Sequence, residues 1–274
     1  MSIILHFIGI FLDLIIFPFR GIGPFWGFFA VSVVMGAMAV IIFKYISNQA
    51  RIKQVKGKIK THFLAIRLYK DDFREILRAQ KEILKNNFWY VVYSFQAAIP
   101  IIILVLLTIS QLNLRYGYTS IEPGETFQVK VTFAQDADRR PEPQLVLPEG
   151  IEAVTPALYL GGEEEVSWQL RAVQEGRHRL GVKVCDQEFT KEVVIGCITA
   201  PFCPQLMRAG FLATLVNSAE PPLPKHARLE SIEVGYKPRY FTAIVFGWKM
   251  HWLLVFPIIA IGFGLIFRKI LKVD

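Results

Sequence analysis

The sequence predicts a membrane α-helical protein that carries a separate β domain outside the cytoplasm. Three observations predict it. Of 274 residues, 53% are hydrophobic and the mean hydropathy is +0.38, too apolar for a soluble domain of this length. Charge is segregated: Lys44 to Lys85 holds twelve Lys and Arg against four acids, whereas residues 113 to 239 hold fourteen against seventeen. From Leu114 onward the apolar spacing changes from helical to alternating.

Residues 1–24 form the first segment. Ser2 to Phe17 is apolar, with no basic start and no small-residue cleavage site, so it does not read as a removable signal peptide. Ser2, His6, Gly9, Asp13 and Arg20 recur at helical steps on one narrow face, and Pro18 with Gly21-Ile22-Gly23-Pro24 ends the run. Such a helix suits the membrane interface, although a single Asp, at ~2.5 to 3.5 kcal/mol, also permits a fourth crossing.

Residues 25–45 form the first span. It runs from Trp26 to Phe43 between an interfacial Trp and Lys44-Tyr45, long enough for a core ~30 Å thick. Gly27, Ala30, Ser32, Gly36, Ala37 and Ala39 keep part of its surface small, which favours close helix packing.

Residues 46–87 form a basic amphipathic segment. Ile52, Val55, Ile59, Phe63, Ile66, Tyr69, Phe73, Ile76 and Ile83 make a helical stripe, and Lys70-Asp71-Asp72 offers a turn, with Asp72 and Glu75 as a capping pair. Two arrangements satisfy this pattern: a helical hairpin with arms packed as in a coiled coil, or one bent helix lying on the headgroups. The positive-inside rule places the segment in the cytoplasm. Its charge is explained by topology alone, or by contact of Arg51, Lys53, Lys56, Lys58, Lys60, Arg67 and Lys70 with the ribosome or anionic lipid.

Residues 88–112 form the second span, opened by the aromatic belt Phe88-Trp89-Tyr90 and containing Ser94, Gln96 and a kinking Pro100. Residues 113–200 read as an extracytoplasmic β domain. Phe127, Val129, Val131 and Phe133 alternate with polar partners from Thr126 onward, and further runs at Gln144 to Leu147, Ile151 to Val154, Val166 to Leu170, Arg179 to Val184 and Phe189 to Ile195 are set apart by Pro and Gly turns. Six or seven short strands at this spacing predict an immunoglobulin-like β-sandwich. Residues 201–247 are expected to be an amphipathic and proline-rich connection, with an edge strand at Ser231 to Tyr236. Residues 248–270 form the last span, closed by Arg268 and Lys269, so the N-terminus lies outside or at the outer interface and the C-terminus in the cytoplasm.

Cys197 and Cys203 are close enough in sequence for a disulfide, and a reduced trio with Cys185 satisfies the sequence equally. Three cysteines without neighbouring histidines give no metal site, and no nucleophile, base and acid cluster or phosphate loop is present. An enzyme, a cofactor and a DNA partner are therefore not expected.

Phe43-Lys44-Tyr45-Ile46-Ser47-Asn48-Gln49, the basic run Arg51 to Lys56 and Leu68-Tyr69-Lys70-Asp71-Asp72, in this order of elements, resemble the YidC-type membrane protein insertase superfamily, in its small three-span branch. The resemblance covers about residues 3 to 112 and 248 to 270. It implies an insertase or membrane chaperone in a cell (inner) membrane, with client membrane proteins, the lipid bilayer and the ribosome as partners. The client groove it implies is lined by Ser32, Ser94 and Gln96, with Lys44 and Asn48 at the mouth. Two features depart from the pattern: Lys44 lies at the end of the first span rather than inside it, and the β domain has no counterpart in the minimal pattern. A second reading is a structural or assembly subunit that binds other membrane subunits through the β domain.

Overall fold

A computed structural model describes residues 2–47, 49–69, 72–134, 143–160, 165–185, 187–196, 201–210, 219–242 and 249–271. The chain is a multi-pass membrane protein, with three helices among the described residues long and apolar enough to cross a bilayer: Pro24–Ile46, Phe73–Tyr116 and Trp252–Ile270. It divides into two compact units. Unit 1 comprises Met1–Ala30 and Leu107–Phe256, and unit 2 comprises Val31–Leu106 and Pro257–Asp274.

In unit 1, α1 (Ser2–Ile16) leads through a short 3-10 turn, Phe17–Phe19, into the start of α2 (Pro24–Ile46). The polar face of α1 is not solvated in the way its pattern implies. Arg115, near the end of α4 (Phe73–Tyr116), donates from Nε to Asp13 Oδ1 and from Nη2 to Asp13 Oδ2, both at 3.0 Å, and also bonds Gln111 Oε1 and Gly9 O. The arginine side chain is 6% exposed, so this bidentate pair fixes α1 against α4.

The strands described in unit 1 are β1 (Tyr118–Thr119), β2 (Thr126–Phe133), β3 (Gln144–Val146), β4 (Ile151–Ala153), β5 (Leu158–Leu160), β6 (Glu165–Ala172), β7 (Gly176–Val184), β8 (Gln187–Ile195), β9 (Gln205–Met207), β10 (Leu229–Val234), β11 (Lys237–Pro238), β12 (Tyr240–Thr242) and β13 (Lys249–His251). The larger sheet has the order β4-β6-β2-β10-β9, with β5 also on β6; β3-β7-β8 form a second sheet, and β1-β11 and β12-β13 are ribbons. Phe127, Val129, Val131 and Phe133 of β2 are all buried, as alternation requires, and join Trp168 and Leu170 of β6 and Leu180, Val182 and Val193 of β7 and β8 in one apolar core.

The immunoglobulin-like sandwich expected from strand spacing is not what forms. The sheets are open, closed into neither a sandwich nor a barrel. Spacing locates the longer strands, not which ones pair. Here β9 and β10, from a stretch expected to be connection, extend the larger sheet, and β10 lies between β2 and β9 rather than at an edge. The domain is tied to the end of α4 by Phe202 N–H to Leu114 O at 3.0 Å, Arg239 N–H to Gly117 O at 2.9 Å and the Arg239 guanidinium to Tyr118 O.

In unit 2, α3 (Gln49–Leu68) and the first half of α4 lie on either side of a turn, and α4 then continues without interruption from the hairpin arm into the second span. Asp72 caps α4: its Oδ1 accepts the N–H of Arg74 at 3.0 Å and of Glu75 at 3.4 Å. The coiled-coil expectation needs correction. Phe63, Tyr69 and Phe73 of the supposed stripe are 59, 52 and 72% exposed, while Ile52, Val55, Ala79, Ile83 and Asn86 are buried. A seam that runs for about two heptads and includes His62 and Asn86 is too short and too polar for a sustained apolar heptad repeat. Farther along, α2 meets the last helix, α5 (Trp252–Ile270), at Gly36, where an added Cβ would collide with the carbonyl of Ala260.

Candidate functional site

The residues expected to line a client groove occupy different settings. Ser32 is fully buried in α2, and Ser94 turns its hydroxyl back to Tyr90 O at 2.8 Å. Lys44 is exposed and donates to Leu271 O at 3.2 Å, at the C-terminal end of α5 where a cation is electrostatically favoured. Gln96 is exposed on α4 among Val92, Phe95, Ile99 and Ile103, which are also exposed. Asn48 lies outside the described residues.

Among the basic candidates, Arg51, Lys53, Lys56, Lys58, Lys60 and Arg67 are exposed on α3, and Lys70 lies outside the described residues. Helical steps sort them. Arg51, Gln54, Val55, Lys58 and His62 fall at i, i+3, i+4, i+7 and i+11 on one side of α3, and Glu82, Lys85, Asn86, Trp89 and Tyr93 repeat those steps on α4. The two rows line one cleft of about 510 Å³. Arg51 stacks over the Tyr93 ring, 5.7 Å from its centroid, and Lys56 over Tyr90 at 5.6 Å, so aromatic rings and cations hold the base of the hairpin together. Glu82 faces Lys85 at 3.8 Å, and Asn86 Nδ2 donates to Glu82 O at 2.7 Å. Three cations against one carboxylate leave the cleft electropositive.

Sequence reading found the cations of α3 but not Lys85, Asn86, Trp89 and Tyr93. Their signal was present in the matching spacing of the two arms. It is hidden because Trp89 fits an interfacial belt equally well and Asn86 carries no apolar weight.

The β domain holds its own buried charge. Lys191 of β8 is fully buried and donates to Cys203 O and Glu220 Oε1, both at 2.6 Å, and to Glu192 O at 3.2 Å. Burial, opposed by Lys191, pushes the Glu220 carboxyl above its usual range. Burial likewise pushes the Cys203 thiol up to about 11, and its Sγ donates to Gln205 O at 2.9 Å. Cys197, the other half of the expected disulfide, lies outside the described residues. Cys185 sits in the tight turn after β7 with a φ of 53°, its Sγ 3.4 Å from Arg228 Nη1. Among the described residues no group of three or more His, Cys, Asp or Glu is placed to hold a metal ion.

No family model matches the chain, and no curated protein matches it. Two solved structures of S-layer proteins share local similarity with it. The S-layer protein rSbsC(31-844) is 18% identical over 29% of this chain and 12% of its own length, with a TM-score of 0.24. Domains 4 and 5 of the S-layer protein SbsC are 14% identical over 30% of this chain and 48% of theirs, with a TM-score of 0.21. Scores this low bear on neither fold nor function. The YidC-type resemblance gains nothing from these comparisons and stands on the sequence pattern alone.

Proposed function

We propose that the protein guides client transmembrane segments into the bilayer, as a membrane insertase or membrane chaperone. The observation that carries this reading is Gln96. An amide exposed within an apolar helix surface is unfavourable against lipid tails, and becomes favourable when a polar client flank meets it. The exposed neighbours Phe95, Ile99 and Ile103 offer the apolar part of the same client a surface to lie on. The charge asymmetry favours an orientation with the hairpin and the C-terminus in the cytoplasm and the β domain outside. The hairpin then meets the client's cytoplasmic tail or the ribosome.

The test is insertion of a single-span client into liposomes that contain the purified protein. Gln96→Leu is expected to reduce protease-protected insertion about fivefold, the equivalent of one interhelical hydrogen bond of ~1 kcal/mol. Undiminished insertion at equal protein yield would remove the reading. The second reading, a structural or assembly subunit, is favoured by one observation: Ser32 is fully buried, as a packed anchor requires, rather than facing a groove.

A further inference from the structure

We propose that the cleft between α3 and α4 is a binding site for a phosphate-bearing anion, supplied by the headgroup of an anionic phospholipid. The inference is independent of client insertion. It starts from the charges that face the cleft: Arg51 and Lys58 from one arm and Lys85 from the other, with Glu82 as the single carboxylate and His62, Gln54 and Asn86 adding polar groups. Glu82 answers Lys85, and Arg51 is stacked on Tyr93. Lys58 brings a third cation, on an exposed side chain that reaches the same space. Two helices that converge several donors on one volume produce a directed anion site, because charge-assisted hydrogen bonds to phosphate need donors from more than one direction.

Position selects the lipid. Trp89 and Tyr93 line the cleft, and Phe88-Trp89-Tyr90 is the aromatic run where the hairpin arm becomes the second span. Trp and Tyr concentrate at the depth of lipid headgroups, so this is the level at which lipid phosphates lie. A volume of about 510 Å³ falls within the size of small-ligand sites, suited to one headgroup and too small for a folded nucleic acid. Juxtamembrane cations attract anionic lipid in any arrangement; a built cleft adds dependence on which cations are present.

The experiment titrates the full-length protein in a neutral detergent with dihexanoyl phosphatidylglycerol, dihexanoyl phosphatidylcholine, inorganic phosphate and a short single-stranded RNA, followed by calorimetry. Two variants remove the same charge: Lys58→Gln with Lys85→Gln in the cleft, and Arg74→Gln with Lys81→Gln on exposed positions outside its lining. Gln has nearly the helix propensity of Lys and Arg, so both variants keep their helices. The expected result is binding of the phosphatidylglycerol in preference to the phosphatidylcholine, weakened about tenfold by the cleft pair and little by the control pair. Competition by inorganic phosphate supports the site as a phosphate site. Equal weakening by both pairs means diffuse attraction and overturns the proposal, as does equal binding of the two lipids. Phosphate or RNA binding through Lys58 and Lys85 without lipid binding overturns the lipid as its source.

Discussion

Lys191 in the β domain and Lys58 in the hairpin carry the same charge in opposite settings. Lys191 is fully buried and meets three oxygens, two of them at 2.6 Å. Lys58 is exposed and faces a cleft that already holds Arg51 and Lys85. The first charge is committed to the fold, linking β8 with Cys203 and Glu220; the second is left available to something outside the chain. The same contrast runs through the two units. The β domain buries a continuous apolar core, while the hairpin leaves Phe63, Leu64, Leu68 and Phe73 mostly exposed and buries a thin seam. Buried cations therefore report on architecture and exposed ones on partners, although both look alike in a charge count.

The largest way to break this contrast is Lys191→Met. Removing one partner of a buried ion pair leaves Glu220 uncompensated and is expected to destabilise the domain by about 3 to 5 kcal/mol. Hydrogen exchange at Val193 and Val194 of β8 should accelerate accordingly, and Lys191→Met with Glu220→Gln should recover part of the loss. Exchange unchanged from the parent would show that Lys191 is not holding the fold.

Glycine substitutions sharpen the comparison within unit 2. At Gly36 an added methyl meets the backbone of Ala260, so Gly36→Ala is expected to cost about 1 to 3 kcal/mol. At Gly57, in α3, nothing lies within 4 Å, so the same change should stabilise the helix by about 1 kcal/mol through propensity alone. Thermal unfolding followed by helical circular dichroism should move in opposite directions for the two variants. Loss of stability in Gly57→Ala would mean that α3 is packed where the structure leaves it open, and a gain in Gly36→Ala that α2 and α5 do not meet there. At the hairpin turn, Asp72→Ala removes the carboxylate oxygen that accepts the N–H of Arg74 and of Glu75 and should cost about 1 kcal/mol, seen as faster exchange at Arg74 and Glu75.

The smallest expected effects are two pH dependences of opposite sign in the β domain. Glu220 titrates above 4.5 when folded, because burial outweighs the pull of Lys191, so the folded state keeps its proton longer than the unfolded one. Stability then falls as pH rises from 4.5 through the folded value. Glu125 titrates below 4.5, chiefly because Lys237 hydrogen-bonds its carboxylate, so it contributes stability above 4.5 that is lost as pH falls through its folded value. Thermal unfolding across the acidic range should lose the first slope in Glu220→Gln and the second in Glu125→Gln.

The parts of this molecule legible in its sequence are those whose pattern is local. Strand β2 is legible because four apolar residues at every second position have one way to be buried. The Asp72 cap is legible because its partners are two and three residues away. The Asp13 and Arg115 pair, 102 residues apart, has no such signature, and so α1 read as an interfacial helix with a solvated stripe. Strand β9 was hidden because three residues, with only Leu206 buried, give no period to count. For the candidate site, the cations of α3 were visible one at a time, but the cleft depends on which side of α4 faces them. Residue type pointed to Phe63 and Phe73 as seam positions, whereas the structure buries Ala79 and Asn86.

The most direct measurement of the contrast between committed and available charge is acylation of amines in the full-length protein held in lipid nanodiscs, read lysine by lysine by mass spectrometry. Lys191 is expected to react only through opening of the β domain, far more slowly than Lys58, which should react at the rate of a surface amine in neutral lipid and become protected when anionic lipid is added. Equal reactivity of Lys191 and Lys58 in neutral lipid would contradict the account.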